Sequence, residues 1–221
     1  MRTALTAVLG LLITASAAGA CPQDDVAVAP AATPLDADAQ RGLVQMREEE
    51  KLARDVYQAN ARRYGLKIFG HIAGSEQRHL ETVGGLLQAR GLPDPTAGKA
   101  PGQFASPTMQ ALFDRLDARS ATSLEEALRV GAEIEELDIR DLTQALERTQ
   151  AEDLRAVYGH LIAASHNHLR AYTRQLDRRG ITYVPAHLPQ ARFDAIVAAE
   201  GPGHGGACGG GKCGCGGGHD D

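Results

Sequence analysis

Apolar positions return every three or four residues along four long stretches of the chain. The first runs from Asp36 to Arg63, with Leu43, Met46, Ala53 and Tyr57 on one stripe, and Gly65 follows as a stop signal. The second, about Ile68 to Arg90, carries Ile72, Val83 and Leu86 and meets Gly91 and two prolines. The third opens at Thr122 or Ser123, where Thr122-x-x-Glu125 and Ser123-x-x-Glu126 both suit a capping box, and reaches Arg148. Thr149-x-x-Glu152 signals the fourth, which bears Leu154, Tyr158, Leu161, Tyr172 and Leu176 and closes near Arg179 and Gly180. This spacing predicts four amphipathic helices. No segment sustains the period-two alternation of a strand, so no sheet is expected.

The linkers between these stretches differ in length. Helices one and two, and helices three and four, are joined by short turns, which makes each pair antiparallel. Residues 91–107 hold four prolines and three glycines, and a short helix at about Thr108–Arg119 follows. Helices two and three are therefore joined by roughly 30 residues, enough to travel the length of a bundle. Short turn, long crossover, short turn predicts an all-α, ferritin-like four-helix bundle with one long crossover between helices 2 and 3.

The ends of the chain follow other rules. Arg2 precedes an apolar run from Ala4 to Ala15, too short for the roughly 20 residues of a spanning helix. Small residues lead to Ala18-Gly19-Ala20 before Cys21, the form of a cleavable signal peptide. Residues 1–20 are thus expected to direct export to the periplasm or the exterior and to leave no transmembrane helix in the mature chain. Cys21 is either an ordinary first residue or the site of a lipid anchor; Ala18 stands where a lipoprotein signal usually has a larger apolar residue. Residues 21–35 are Ala/Pro-rich and read as a linker, 36–190 as the bundle, and 191–221 as a C-terminal segment with a flexible tail. That tail takes 11 of the 25 glycines, with Cys208, Cys213, Cys215, His204 and His219 among them. Thiolate and imidazole ligands on such a chain suit copper or zinc, while a disulfide and an inert tail are the competing readings.

Composition narrows the partners. Net charge is −5, aromatics are 4% and tryptophan is absent, so neither a basic phosphate-binding face nor a base-stacking platform is expected, and nucleic acid is excluded as a partner. No Ser-His-Asp, Cys-His or phosphate-loop pattern occurs. Metal ions remain the partner the residues themselves call for, because each apolar stripe contains polar residues where apolar ones belong. Helix one carries Glu50, helix two Glu76 and His79, and helix four Ser165 and His168. In helix three, Ala132, Ile139 and Leu146 bracket Glu136, with Glu133 and Glu135 within one turn as alternatives. With a rise of about 1.5 Å per residue, these positions lie about 12 to 24 Å from a helix end and can meet near mid-bundle. Buried carboxylates are costly unless paired, and a pair of divalent cations would compensate them.

The di-metal carboxylate pattern has one Glu on each of two helices and Glu-x-x-His on each of the other two. Glu50, Glu76-x-x-His79 and Glu136 fit it. Helix four departs from it, because Ser165 stands where the last carboxylate belongs, which predicts a weaker or more open metal position beside His168. The expected ligands are therefore Glu50, Glu76, His79, Glu136 and His168. Tyr57, Tyr158 and Tyr172 are expected to pack the core rather than to carry redox chemistry.

Four ordered motifs carry a family resemblance: EEEKLARDVY at 48–57, FGHIAGSEQRH at 69–79, IEELDIRDL at 134–142 and SHNHLRAY at 165–172. Together they resemble an uncharacterised prokaryotic family, domain of unknown function 2202, of the ferritin-like superfamily, over about residues 40–185. They are more distantly similar to rubrerythrin and bacterioferritin. Glu50-x-x-Ala53-Arg54 followed by Tyr57 looks like the first rubrerythrin ligand helix, and Glu76-x-x-His79 matches the second. Glu136-Leu137-Asp138 looks like the third-helix ligand of bacterioferritin, and His168 matches the fourth-helix histidine. The resemblance implies an up-down-down-up bundle with a di-iron-type site holding iron or manganese. Three readings follow: a metal-dependent oxidoreductase acting on oxygen or peroxide, a non-catalytic extracytoplasmic metal buffer, and a structural bundle with a relict site. A dimer is compatible with all three.

Overall fold

The computed structural model describes residues 34–199, which contain six helices and no strand. Helix α1 spans Ala37–Tyr64, α2 Lys67–Ala89, α3 Pro107–Ser120, α4 Leu124–Arg148, α5 Glu152–Asp177 and α6 Gln190–Ala198. Local chemistry accounts for most of these limits. The Asp36 side chain accepts from Ala39 N (2.8 Å) to cap α1, and Gly65, at φ 64°, returns its N–H to Ala61 O. Ser106 caps α3 with Pro107 in its first turn, and Ser123 caps α4 by accepting from Glu126 N (3.1 Å). The Thr149 signal works differently from its reading as a helix cap. α5 begins after Ala151, and the Thr149 hydroxyl accepts from Ala151 N (3.2 Å), shaping the turn rather than the helix end.

The apolar core falls into two clusters. Leu43 and Met46 of α1, Val83 and Leu86 of α2, Leu142 of α4, and Leu154, Tyr158 and Leu161 of α5 form one. Ala53 and Tyr57, Phe69 and Ile72, Leu128 and Ala132, Leu169 and Tyr172 belong to the other. Read from N- to C-terminus, α1 and α5 run from the first cluster to the second, and α2 and α4 run the opposite way. α2 and α4 are thus parallel, which a tight turn cannot achieve. Each of the four long helices crosses from one cluster to the other through a polar layer. α1 packs against α2, α4 against α5, and α1/α4 and α2/α5 contacts complete the ring.

The crossover, residues 90–123, is fastened to α1. Buried Lys51 pairs with Asp55 (2.5 Å), donates to Ala100 O (2.9 Å) and stacks its ammonium over Phe104. Asp55 also accepts from Gly102 N, and Glu48 accepts from Ala105 N and Ser106 N. At the other end of the chain, residues 181–189 lead to α6, which puts Phe193 and Ile196 into the second cluster. Helical packing on the second cluster therefore continues through α6, Gln190–Ala198. α6 holds two buried side chains in nine residues, too few to show a repeat.

Among the described residues, no helix is long and apolar enough to cross a membrane. The leader at 1–20, Cys21, most of the linker and the Cys/His-rich tail at 201–221 lie outside the described residues.

Candidate metal centre

The polar layer between the two clusters gathers five side chains from four helices. α1 supplies Glu50, α2 supplies Glu76 and His79 on successive turns of one face, α4 supplies Glu135 and α5 supplies His168. Their ligand atoms form two overlapping groups, Glu50/Glu76/His79 and Glu76/Glu135/His168, each with all atoms within 4.8 Å of one another. Glu76 belongs to both. Its Oε2 lies 2.7 Å from His79 Nδ1, and its Oε1 lies 2.8 Å from His168 Nδ1. Glu50 Oε2 is 3.4 Å from His79 Nδ1, and Glu135 Oε2 is 3.4 Å from His168 Nδ1. The two imidazoles stack with centroids 5.8 Å apart.

Closeness and hydrogen bonding do not coincide here. Glu50 Oε2, Glu76 Oε1, Glu135 Oε2 and His168 Nδ1 are all buried, yet none has an aligned hydrogen-bond partner among the described residues. Native interiors satisfy nearly all such atoms. These atoms converge from four helices and could serve as ligands of a metal ion. Carboxylate oxygen and imidazole nitrogen suit iron, manganese or zinc and give no soft thiolate ligand.

The electrostatics of the metal-free site agree. Burial pushes the Glu50 carboxyl up to about 7, although His79 pulls it back. Burial also opposes ionisation of Glu76, but His168 and His79 outweigh it and hold that carboxyl well below its usual range. Burial works against charge on His79 as well; Glu76 and Glu50 outweigh it and raise the imidazole to about 10. His168 is raised likewise by Glu76 and Glu135 against the effect of burial. The neighbouring carboxylates thus favour the protonated form of both imidazoles.

The surroundings orient the ligands. Tyr57 donates its hydroxyl to Glu135 Oε1 (2.6 Å), which leaves Oε2 for the layer. Ser75 Oγ lies 3.4 Å from His79 Nε2, the ring nitrogen turned away from the carboxylates. Tyr57, Tyr172 and Phe69 form an aromatic floor, with Tyr172 5.3 Å from Tyr57 and 5.9 Å from Phe69. The three tyrosines expected in the core are all buried.

Four of the five expected ligands, Glu50, Glu76, His79 and His168, are brought together. Glu136 is not. It is fully buried on a different face of α4, where it accepts from Tyr183 Oη (2.5 Å), Ala186 N (3.1 Å), His187 N and Leu188 N (both 2.8 Å). Glu135 takes its place in the layer. Both residues fall between Ala132 and Ile139 at helical spacing, so the stripe alone did not separate them. Leu128-Ala132-Glu135-Ile139-Leu142 is the signal that does, since its spacing of four, three, four, three stays on one face. Ser165 is buried one turn before His168, and α5 gives the layer no carboxylate.

An all-helical protein with a buried carboxylate–histidine layer that could hold a metal is the class these observations define. The chain belongs to the family described as an uncharacterized protein domain, DUF2202, which matches residues 39–200. It is 39% identical over 167 residues to the uncharacterized protein MJ0754 of Methanocaldococcus jannaschii, covering 76% of this chain and 90% of that protein. The crystal structure of hypothetical protein MJ0754 superposes with a TM-score of 0.75 at 38% identity, covering 76% of this chain and 97% of that one.

Proposed function

We propose that the chain is an exported, ferritin-like four-helix bundle that holds a pair of iron or manganese ions in its polar layer and reacts with dioxygen or peroxide. The observation that carries this reading is the convergence of Glu50, Glu76, His79, Glu135 and His168 from four helices into two overlapping buried groups whose ligand atoms lie within 4.8 Å of one another. Three buried carboxylates face two imidazoles, and divalent cations would offset this excess of buried acid. When bound, iron or manganese supplies a redox couple suited to oxygen or peroxide.

The chain's own residues then divide the work. Glu76 would contribute to both ligand groups, with Glu50 and His79 in one and Glu135 and His168 in the other. Tyr57 holds Glu135 in orientation. Ser165, a neutral hydroxyl where a carboxylate would complete the symmetric pattern, leaves that side less charged and roomier for water or oxidant. The positively started apolar leader ahead of Cys21 supports export, and the Cys/His-rich tail suits separate capture of copper or zinc.

Metal analysis of the purified protein, with and without residues 201–221, tests this reading. About two equivalents of Mn(II) should remain with the tail-less form and fall sharply in Glu76→Ala. A bundle that takes up no iron or manganese would overturn it. The Ser165 substitution also favours a second reading, a metal buffer without turnover. Bound metal with no peroxide consumption by the iron-loaded protein would select it.

A further inference from the structure

A row of four aromatic rings leads from the polar layer to the surface. Tyr57 of α1 begins it. Its hydroxyl donates to Glu135 Oε1 (2.6 Å), the carboxylate whose other oxygen faces His168. The Tyr57 ring centroid lies 5.3 Å from that of Tyr172 on α5. Tyr172 lies 5.9 Å from Phe69 of α2, and Phe69 lies 6.4 Å from Tyr64 at the end of α1. Each spacing falls within the range of about 4.5–7 Å for interacting rings. Tyr57, Tyr172 and Phe69 are fully buried. Tyr64 is half-buried between exposed Arg63 and Gly65, and its hydroxyl donates to Ser120 O (2.7 Å). The row therefore runs from a dry interior to water.

Packing accounts for the rings but not for the hydroxyls. A phenylalanine would fill the Tyr172 site as well, because the Tyr172 hydroxyl is buried without an aligned hydrogen bond and faces Tyr57. Buried tyrosines usually give that hydroxyl a partner. The other two of the five tyrosines are placed differently. Tyr158 belongs to the first apolar cluster, and Tyr183 donates to Glu136, away from the layer. Three phenols thus stand in order between Glu135 and solvent. A phenol gives up one electron to a strong oxidant when its proton has an acceptor. Glu135 Oε1 is that acceptor for Tyr57, the Tyr57 oxygen for Tyr172, and water for Tyr64.

We propose that Tyr57, Tyr172 and Tyr64 form a relay that carries oxidising equivalents from the centre to the surface. The relay rests on the reading of the centre as a site where iron or manganese reacts with peroxide, which is the oxidant. One electron passes from Tyr57 to the oxidised metal as the phenolic proton moves to Glu135 Oε1. A hydrogen atom from the Tyr172 hydroxyl restores Tyr57. An electron from Tyr64, crossing Phe69, then restores Tyr172, whose proton returns from Glu135 by way of Tyr57. Tyr64 gives its own proton to water. The net step leaves the metal reduced by one electron, Glu135 as it began and Tyr64 as a neutral phenoxyl radical.

The test loads the full-length protein with Fe(II), adds hydrogen peroxide and follows two signals besides turnover. One is the tyrosyl radical, by rapid-freeze electron paramagnetic resonance. The other is covalent attachment of a nitroso spin trap, located by peptide mass spectrometry. Iron content is measured in every variant, and Glu76→Ala sets the background from iron bound outside the centre. The trap should attach at Tyr64. Tyr172→Phe should abolish that attachment while iron content is kept and a radical confined to Tyr57 remains. Tyr64→Phe should make the internal radical longer-lived, and Tyr158→Phe should change neither signal. Attachment at Tyr64 that survives in Tyr172→Phe, or that appears at Tyr158 or Tyr183 instead, overturns the relay. So does peroxide consumption without a tyrosyl radical. If the unaltered protein holds no more iron than Glu76→Ala, or consumes no peroxide, the reading of the centre fails first and the relay with it.

Discussion

Glu136 has no lone pair left to offer a metal. Its two oxygens gather the Tyr183 hydroxyl and three successive backbone N–H groups, and so tie the segment before α6 to α4. Glu135, one residue earlier, takes a single aligned hydrogen bond, from Tyr57, and turns Oε2 toward His168 Nδ1 at 3.4 Å. The two glutamates should therefore separate cleanly on mutation. Glu135→Gln should lower metal occupancy and leave the metal-free fold no less stable. Glu136→Gln should cost about 2 kcal/mol or more, the scale of hydrogen bonds to a charged acceptor, yet retain metal binding. Metal analysis beside urea unfolding of both variants reads the two effects, and loss of metal in Glu136→Gln alone would reverse the assignment. Glu50, Glu76, His79 and His168 were legible in the sequence because each interrupts an apolar stripe at its own unambiguous position. Glu135 was harder to place, because residues 133–136 of α4 are all buried and only the longer stripe from Leu128 to Leu142 separates it from Glu136.

That burial is a property of the elements around α1 and α4. Both helices are covered on a third side, α1 by the crossover and α4 by α3 and the segment before α6. A run such as Glu48-Glu49-Glu50 is ordinarily a solvated face; here its members point to the crossover, to a cavity and to the metal layer in turn. The helices and their order follow from periodicity, capping residues and linker length. The wrapping does not, because it is built from short, aperiodic pieces whose contacts are long-range. Element packing also distinguishes glycines that look alike in sequence. A Cβ at Gly131 of α4 would meet the Tyr172 ring at 2.6 Å, whereas one at exposed Gly74 of α2 would meet nothing within 4 Å. Gly131→Val should cost about 1–3 kcal/mol by overpacking, and by displacing Tyr172 against Tyr57 it should also weaken metal binding through Glu135. Gly74→Ala should stabilise by about 0.4–1 kcal/mol through the unfolded chain. Calorimetry of the two variants would show opposite shifts in Tm; shifts of one sign would contradict this account of the α4/α5 contact.

Across the whole molecule, the polar layer links folding, protons and metal. The folded, metal-free chain binds more protons than the unfolded chain at several sites. Glu50 moves from 4.5 to about 7, Glu49 from 4.5 to about 8 and His79 from 6.5 to about 10. A raised folded value contributes stability that is complete below the unfolded value and lost as pH climbs through the folded one. Metal-free stability should therefore decline above pH 4.5 as the two carboxyls ionise, with His79 extending the decline from 6.5 to about 10. Glu76 acts in the opposite sense: its lowered value gives stability above 4.5 that is lost as pH falls. On the proposed reading, metal would reverse the balance on the alkaline side, because cations would displace the imidazole protons and bind better as protons become scarce. The gain in Tm from saturating Mn(II) should thus grow steadily between pH 6 and pH 8.5 while the metal-free Tm falls. A pH-independent gain, or a metal-free Tm that rises over this range, would mean that His79 and His168 are not the protonated pair that the cations replace. Glu76→Gln removes the carboxylate shared by both imidazoles, so it should flatten the metal-free curve as well as abolish the gain, tying both effects to a single side chain.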